Sequence, residues 1–414
     1  MRRPAPRRPE WAVVGDLESV MARPNSLQPV LVGVVTAFVG FASSFAVVLK
    51  GLTAVGASDA QAASGLMAAA VAMGLASIVL SIGLRQPVSA AWSTPGAALL
   101  ASTGAATGGW PAAVGAFLAA AALLVAAGLF KPFGRAVAAI PAALANAMLA
   151  GVLFGLCLAP IKALVAEPAG AAAVIFVWLI VLRYRRIYAT PAAALTAAMV
   201  IAYDAPGFTL DAASVAPSPV FVLPHFTLEA FASLALPLFL VTMASQNLPG
   251  VAVLKAYGFH PKPGLLIAVT GGFGALAAPF GGHAVNLSAI TAAMCASPDA
   301  SPDPAKRWIA SATSGVVLIL LGVTAGAVTR IASGSPVLVE AVAGLALLSA
   351  LGSALHNALA DTHEREAALA TFLVAASGVG FYGVGGAFWG LIAGAVVLVV
   401  TRAGASLLPP SPPK

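Results

Sequence analysis

Long apolar stretches alternate with short charged breaks along almost the whole chain. A helix needs about 20 apolar residues to cross the hydrocarbon core of a membrane, and most of these stretches are that long. The stretches without Asp, Glu, Lys or Arg are 24–49, 60–84, 86–130, 136–161, 168–182, 187–203, 230–254, 263–298, 308–329, 341–360 and 367–401. Because 86–130, 263–298 and 367–401 are long enough to fold back once, the pattern predicts an all-α integral membrane protein with 14 transmembrane segments.

The positions of Lys and Arg predict how these segments are oriented. If the N-terminus lies inside, every Lys and Arg except Lys50, Lys162 and Arg330 falls on the cytoplasmic side. Cytoplasmic loops carry such an excess of basic residues. We therefore expect an N-terminal arm (1–26) and a C-terminal tail (403–414) that are both cytoplasmic, in a protein of the bacterial inner membrane.

Seven predicted segments lie in each half of the chain, which places the halves in opposite orientations. Such a 7+7 inverted repeat is a common plan of secondary transporters. A short sequence similarity between the halves supports the repeat, since AVVLK at 46–50 is followed in the second half by VAVLK at 251–255.

The third and tenth predicted crossings are interrupted by glycine and proline. We call 87–103 the first broken segment and 279–296 the second broken segment. In the first, Ser93 or Thr94 can cap a helix whose first turn holds Pro95, which needs no N–H partner there.

In the second broken segment, Gly281 and Gly282 permit an irregular start, and Asn286 or Ser288 can cap the helix that follows. Opposite crossing directions place both helix N-termini near the bilayer centre, where their unpaired N–H groups favour a small anion, above all a carboxylate. The alternative is that Gly and Pro are simply common in membrane helices.

Polar side chains at membrane depth are candidates for substrate binding. Gln246 and Asn247 follow Ser245 in the middle of the eighth crossing, and Ser43 and Ser44 lie at similar depth in the first. Buried amides also hold helices together, so this purely structural role stays open.

Two titratable residues are candidates for proton coupling. His283 is the only histidine at predicted membrane depth, although the positive end of a helix favours its uncharged ring, so hydrogen bonding to substrate or a structural role is also open. Glu340, near the outer end of the twelfth crossing, could reach a transport pathway or be a simple interfacial acid. Asn146 in the fifth crossing is its loose counterpart across the repeat.

Composition excludes several classes of function. With 60% hydrophobic and 8% charged residues, the chain is not a soluble enzyme, and its net charge of +7 sits in short breaks that do not suit nucleic acid. The motif HEREA at 363–367 lacks the second histidine of a zinc-protease site, and no nucleotide-binding loop is present. We expect no catalytic residues, no metal and no cofactor.

Four strings closely resemble the benzoate:proton symporter family, BenE, of bacterial inner membranes. They are AWSTPGAALL (91–100), LPLFLVTMASQN (236–247), SAITAAMCASPDA (288–300) and AFWGLIAG (387–394). The resemblance extends over about residues 27–402, and the family is itself similar to uracil permease, nucleobase-ascorbate and SulP transporters.

The resemblance implies two moving parts, often in a homodimer. A core domain (27–130 and 230–332) would move against a gate domain (133–204 and 335–402) in an elevator-like cycle. The substrate would lie between the two broken segments.

Carried over residue by residue, the resemblance marks these site residues: Trp92, Ser93, Thr94, Gln246, Asn247 and His283. Nucleobase permeases carry acidic residues where this chain has Ser245 or Gln246 and His283, which argues for an anionic substrate. The predicted function is proton-coupled uptake of benzoate or a similar aromatic carboxylate, with Phe41 or Phe280 beside the substrate ring. The alternatives are an anion uniporter or channel of the same fold, or a symporter for another small organic anion.

Overall fold

The structure is a computed structural model that describes residues 27–132, 141–204, 215–382 and 384–406. The predicted arm (1–26) and most of the predicted tail (403–414) lie outside the described residues.

The described chain is mostly helical. The elements of its first half are α1 (Gln28–Ala42), α2 (Phe45–Ala54), α3 (Asp59–Leu84), β1 (Ala90–Trp92), α4 (Thr94–Thr103), α5 (Gly109–Leu129), α6 (Ala142–Cys157), α7 (Ala159–Ala166), α8 (Pro168–Tyr184) and α9 (Arg186–Asp204). Those of its second half are α10 (Leu228–Ala256), α11 (Pro263–Ala277), β2 (Val285–Leu287), α12 (Ile290–Ala296), α13 (Trp308–Val323), α14 (Ala325–Gly334), α15 (Pro336–Ala358), α16 (Arg365–Ala376) and α17 (Gly386–Ser406).

Many of these helices match a membrane in length and composition. Within the described ranges, nine are long and apolar enough to cross it: Gln28–Ala54, Asp59–Leu84, Gly109–Leu129, Ala142–Ala166, Arg186–Asp204, Leu228–Ala256, Pro263–Phe280, Pro304–Val323 and Pro336–Ala358. Two shorter apolar helices are Pro168–Tyr184 and Gly386–Arg402. The prediction of a mostly helical membrane protein is confirmed, while the count of 14 segments stays a prediction.

Close packing of small residues holds several helices together. A Cβ atom on Gly74 of α3 would lie 2.5 Å from the carbonyl oxygen of Gly315 on α13, and the converse holds for Gly315. Gly128 of α5 and Gly264 of α11 form a second reciprocal pair at the same distance. Lipid chains give no hydrophobic drive for helix association, so close backbone approach of this kind supplies the attraction.

The helices pack in two sets. Helix α13 packs against α1 and α3, and α11 packs against α3 and α5. In the other set, α6 packs against α15 and α16, and α16 against α17. The sets meet where α4 contacts α6 and α2 contacts α15, and a cavity lies between them.

Candidate functional site

The two broken segments meet as a short antiparallel sheet. Strand β1 pairs with β2 through Ala90 and Leu287, Ala91 and Asn286, and Trp92 and Val285. An all-helical prediction did not include this pairing. Extended backbone at membrane depth must satisfy its N–H and C=O groups within the protein, and each broken segment does so with the other.

Helix α4 begins at the predicted interruption. The Ser93 hydroxyl oxygen accepts a hydrogen bond from the Gly96 N–H at 3.1 Å, and Pro95 lies in the first turn. The Thr242 hydroxyl of α10 donates to the same Ser93 oxygen at 2.8 Å. Ser93 is therefore the predicted cap, and it also fixes α4 to α10.

Of the two side chains expected to cap helix α12, Asn286 and Ser288, only one does so. The Ser288 hydroxyl oxygen accepts from the Thr291 N–H at 3.2 Å, which makes Ser288 the side chain that caps the first turn. Asn286 lies within β2, where its Nδ2 donates to the Leu287 carbonyl oxygen at 2.7 Å. An extended residue inside a strand is too early to cap the helix, so of the two candidates only Ser288 takes this role.

His283 links the two broken segments. Its side chain is 1% exposed, and Nε2 lies 3.1 Å from the Ser93 carbonyl oxygen. A carbonyl oxygen can only accept, so Nε2 carries the proton and donates. Nδ1 has no hydrogen-bond partner within the part of the chain that is described.

A cavity of about 580 Å³ lies beside these helix starts. Six of the predicted site residues line it: Ser43, Ser44, Trp92, Thr94, Pro95 and Gln246. The Thr94 hydroxyl and the Gln246 amide form no hydrogen bond within the described ranges, so both are free to bind a ligand. The volume is in the range of small-molecule sites.

Trp92 forms an aromatic wall of this cavity. Its Nε1 donates to the Ser44 hydroxyl oxygen at 2.8 Å, and its ring centroid lies 5.2 Å from that of Phe41. Phe280 instead contacts Phe221, with ring centroids 5.7 Å apart, and does not line the cavity. Of the two expected aromatic neighbours, only Phe41 lies with Trp92.

The other predicted site residues lie behind the cavity wall. Ser93, Asn247, His283 and Asn286 are all buried and are not among the lining residues. The Asn247 Oδ1 accepts from the Leu287 N–H at 2.9 Å, which joins α10 to β2. These residues shape the site and can act on a ligand only through the groups in front of them.

Glu340 lies away from the cavity in an ion pair with Lys50. Lys50 belongs to α2 and Glu340 to α15, so the pair joins the two sets of helices. Both side chains are partly exposed, at 35% and 38%.

Several lining residues were not singled out from the sequence. Thr291, Arg186 and Asn357 line the cavity, as does Asn146, which had been considered only as a counterpart of Glu340. Arg186 was counted among the basic residues of a predicted cytoplasmic loop, and that role gave no reason to expect it in the lining of a cavity. Asn357 lies near the end of an apolar helix, and nothing in the sequence around it indicated a place in a binding site.

A family model and one of two similar sequences carry the same description, benzoate membrane transport protein. A family model described as benzoate membrane transport protein, BenE, matches residues 24–400. The chain is 40% identical over 371 residues to the inner membrane protein YdcO of Escherichia coli, covering 89% of this chain and 95% of that protein. It is 31% identical over 381 residues to the benzoate membrane transport protein of Acinetobacter baylyi, covering 89% and 94%.

Solved structures share the fold. The transmembrane domain of the cyanobacterial bicarbonate transporter BicA aligns with a TM-score of 0.55 at 16% identity, over 92% of this chain and 98% of that one. SLC26A9 aligns with a TM-score of 0.59 at 13% identity, over 92% of this chain and 66% of that one. At such identities the likeness shows the fold alone. The family model spans most of the chain, and the chain is 31% identical to the benzoate membrane transport protein of Acinetobacter baylyi, so this multi-pass inner-membrane protein belongs to the BenE benzoate membrane transport family.

Proposed function

We propose that this protein takes up benzoate or a similar aromatic carboxylate across the bacterial inner membrane, driven by protons. The observation that carries the proposal is one cavity that combines the aromatic ring of Trp92 with the capped start of α4. An aromatic acid needs both an apolar wall for its ring and hydrogen-bond donors for its carboxylate. The family and the benzoate transporter of Acinetobacter baylyi support this substrate class.

In the proposed complex, the carboxylate faces the first turn of α4. The Thr94 hydroxyl and the Gln246 amide donate to it, because neither is engaged elsewhere in the described chain. The ring packs against Trp92, which Phe41 supports from behind. The positive end of the α4 dipole supplies electrostatic attraction for the carboxylate at this point.

The transport movement we propose is elevator-like, with 14 segments in a 7+7 inverted repeat. The core (27–130 and 230–332) would carry the site past the gate (133–204 and 335–402), in a monomer or a homodimer with both termini cytoplasmic. Two features support the repeat: the antiparallel pairing of β1 with β2, and the reciprocal glycine contacts that join α3 to α13 and α5 to α11.

His283 is the proposed proton carrier. Its Nε2 bonds to the carbonyl of Ser93, the residue that caps α4, while Nδ1 has no partner among the described residues. A carboxylate bound at α4 would stabilise a proton on this ring, and by linkage a proton on the ring would strengthen carboxylate binding. Glu340 is the less direct candidate because it is paired with Lys50 outside the cavity.

The first test is uptake of labelled benzoate into proteoliposomes with and without an inward proton gradient. We expect accumulation above equilibrium that a protonophore abolishes and that neither uracil nor sulfate competes. Absence of benzoate flux contradicts the substrate class.

A second test replaces His283 with Gln, whose amide can still donate to the Ser93 carbonyl. We expect the variant to fold and to equilibrate benzoate, but to lose accumulation driven by the proton gradient. Full accumulation by His283→Gln would remove His283 from this role and leave Glu340 or the substrate itself as the proton carrier.

One observation favours the alternative of an anion uniporter or channel. Among the described residues that line the cavity, no carboxylate or histidine is present. A uniporter would equilibrate benzoate without exceeding its gradient, so the same uptake assay separates the two functions. Competition by other small organic anions would test the third possibility, a symporter of different substrate preference.

A further inference from the structure

Arg186 is the one ionisable residue among the described residues that line the cavity. It begins α9 and is exposed, whereas Trp92, which also lines the cavity, is 2% exposed. Thr190, about one turn further along α9, also lines the cavity, and so do the neutral polar side chains of Ser353 and Asn357. The buried part of the described lining is therefore neutral, and its one charged side chain is exposed, which is what a positively charged mouth requires.

Local structure does not account for a cation at this position. Within the described ranges Arg186 forms no ion pair and no side-chain hydrogen bond. The positive end of a helix disfavours a cation, and no acidic residue lies in the first turn of α9 to offset it. Arg183 differs, because it lies in the last turn of α8, where the helix dipole stabilises a positive charge.

Membrane orientation does not account for Arg186 either. Arg183 and Arg185 lie in the same predicted cytoplasmic loop and already provide its basic character. Neither of them lines the cavity. Arg186 is thus set apart from Arg183 and Arg185 by its place in the cavity lining.

We propose that Arg186 forms a second carboxylate site at the cytoplasmic mouth, which receives the aromatic acid after it leaves the start of α4. This inference rests on the proposed function. A guanidinium binds a carboxylate through two parallel hydrogen bonds, and apolar cavity walls concentrate its field. The site lowers the cost of moving an anion from the helix N-terminus to water.

The test compares Arg186→Gln with Arg186→Lys and with Arg185→Gln as the matched control. Benzoate KM is measured in everted vesicles, where the cytoplasmic face is outside, and in right-side-out vesicles. In Arg186→Gln we expect KM at the cytoplasmic face to rise about fivefold, the scale of one partly solvated charge pair. KM at the periplasmic face should stay the same.

Ionic strength supplies a readout that a merely structural role would not change. Added salt should raise the wild-type KM at the cytoplasmic face but leave that of Arg186→Gln unchanged, since salt screens an exposed charge. Arg186→Lys should restore most of the affinity and the salt dependence, and Arg185→Gln should behave like the wild type.

Three outcomes overturn the proposal. One is an unchanged cytoplasmic KM in Arg186→Gln, and another is an equal change in Arg185→Gln, which would indicate general surface potential. The third is the absence of benzoate flux in both vesicle types of the wild type, which overturns the proposed function together with this inference. Flux in the wild type with no effect of Arg186→Gln overturns the inference alone.

Discussion

The two broken segments have the same backbone plan but differ in how their polar side chains are satisfied. In the first, the Ser93 hydroxyl and the Trp92 Nε1 both have partners. In the second, His283 Nδ1, Asn286 Oδ1 and Thr291 Oγ1 are buried without partners within the described chain. Unpartnered buried polar atoms cost stability and persist where function uses them. Apart from the Thr94 hydroxyl at the cavity, the first broken segment is thus a completed scaffold, whereas the second keeps buried groups that a proton, a movement or, at Thr291, a ligand can satisfy.

The largest effect is expected from Ser93→Ala, which breaks the completed scaffold. The change removes the cap of α4 and leaves the buried Thr242 hydroxyl without its acceptor. We expect a loss of about 2–4 kcal/mol in the free energy of unfolding, measured by denaturant titration in mixed micelles. Ser102→Ala is the control on the same helix, because Ser102 bonds only to the Leu99 carbonyl, and it should cost less than about 0.5 kcal/mol. Equal losses in both variants would contradict this role of Ser93.

A smaller effect is expected from Trp92→Phe. The variant keeps an aromatic ring beside Phe41 but loses the hydrogen bond to Ser44. We expect a loss of about 1 kcal/mol in unfolding free energy, with benzoate uptake retained. Trp389→Phe is the matched control, since its Nε1 bonds to an exposed backbone carbonyl at 3.2 Å, and it should cost less. Loss of all uptake in Trp92→Phe would mean that the indole N–H itself contacts the substrate.

The smallest effect on stability is expected from Thr291→Val, and its sign is opposite. This change removes a buried hydroxyl that has no partner while keeping its shape, so we expect the protein to gain about 0.5–1 kcal/mol in unfolding free energy. If the hydroxyl serves the carboxylate, benzoate affinity should fall about tenfold.

Thr270→Val is the control for that change. Its hydroxyl donates to the Leu266 carbonyl at 3.0 Å, so the variant should lose stability and keep its affinity for benzoate. If Thr291→Val lowers the free energy of unfolding and leaves benzoate affinity unchanged, the two broken segments do not differ in how their polar groups are satisfied.

Local chemistry was enough to predict where α4 begins. Ser93 and Pro95 start the helix through interactions within one turn, so a few neighbouring residues are enough to predict its beginning. The structure confirms Ser93 as the cap. The apolar stretches likewise predicted the membrane helices, because length and composition decide insertion.

Contacts between distant parts of the chain could not be predicted in this way. The register of β1 with β2 depends on how the two halves pack, and no local pattern encodes it. For the same reason the sequence did not separate Gln246, which lines the cavity, from Asn247, which holds β2 from behind. Consecutive residues on a helix face different directions, and only the packing decides which direction is the cavity.

The pairing of the two broken segments has a consequence for biosynthesis. Ser93 and its partner His283 are 190 residues apart, and β1 has no partner strand until β2 has been made. At synthesis rates of 5–20 residues per second, the first broken segment waits on the order of 10–40 s in the membrane with unpaired backbone groups. During that interval a chaperone, the translocation machinery or water must accommodate them, and ribosome pausing between the two halves would lengthen the exposure.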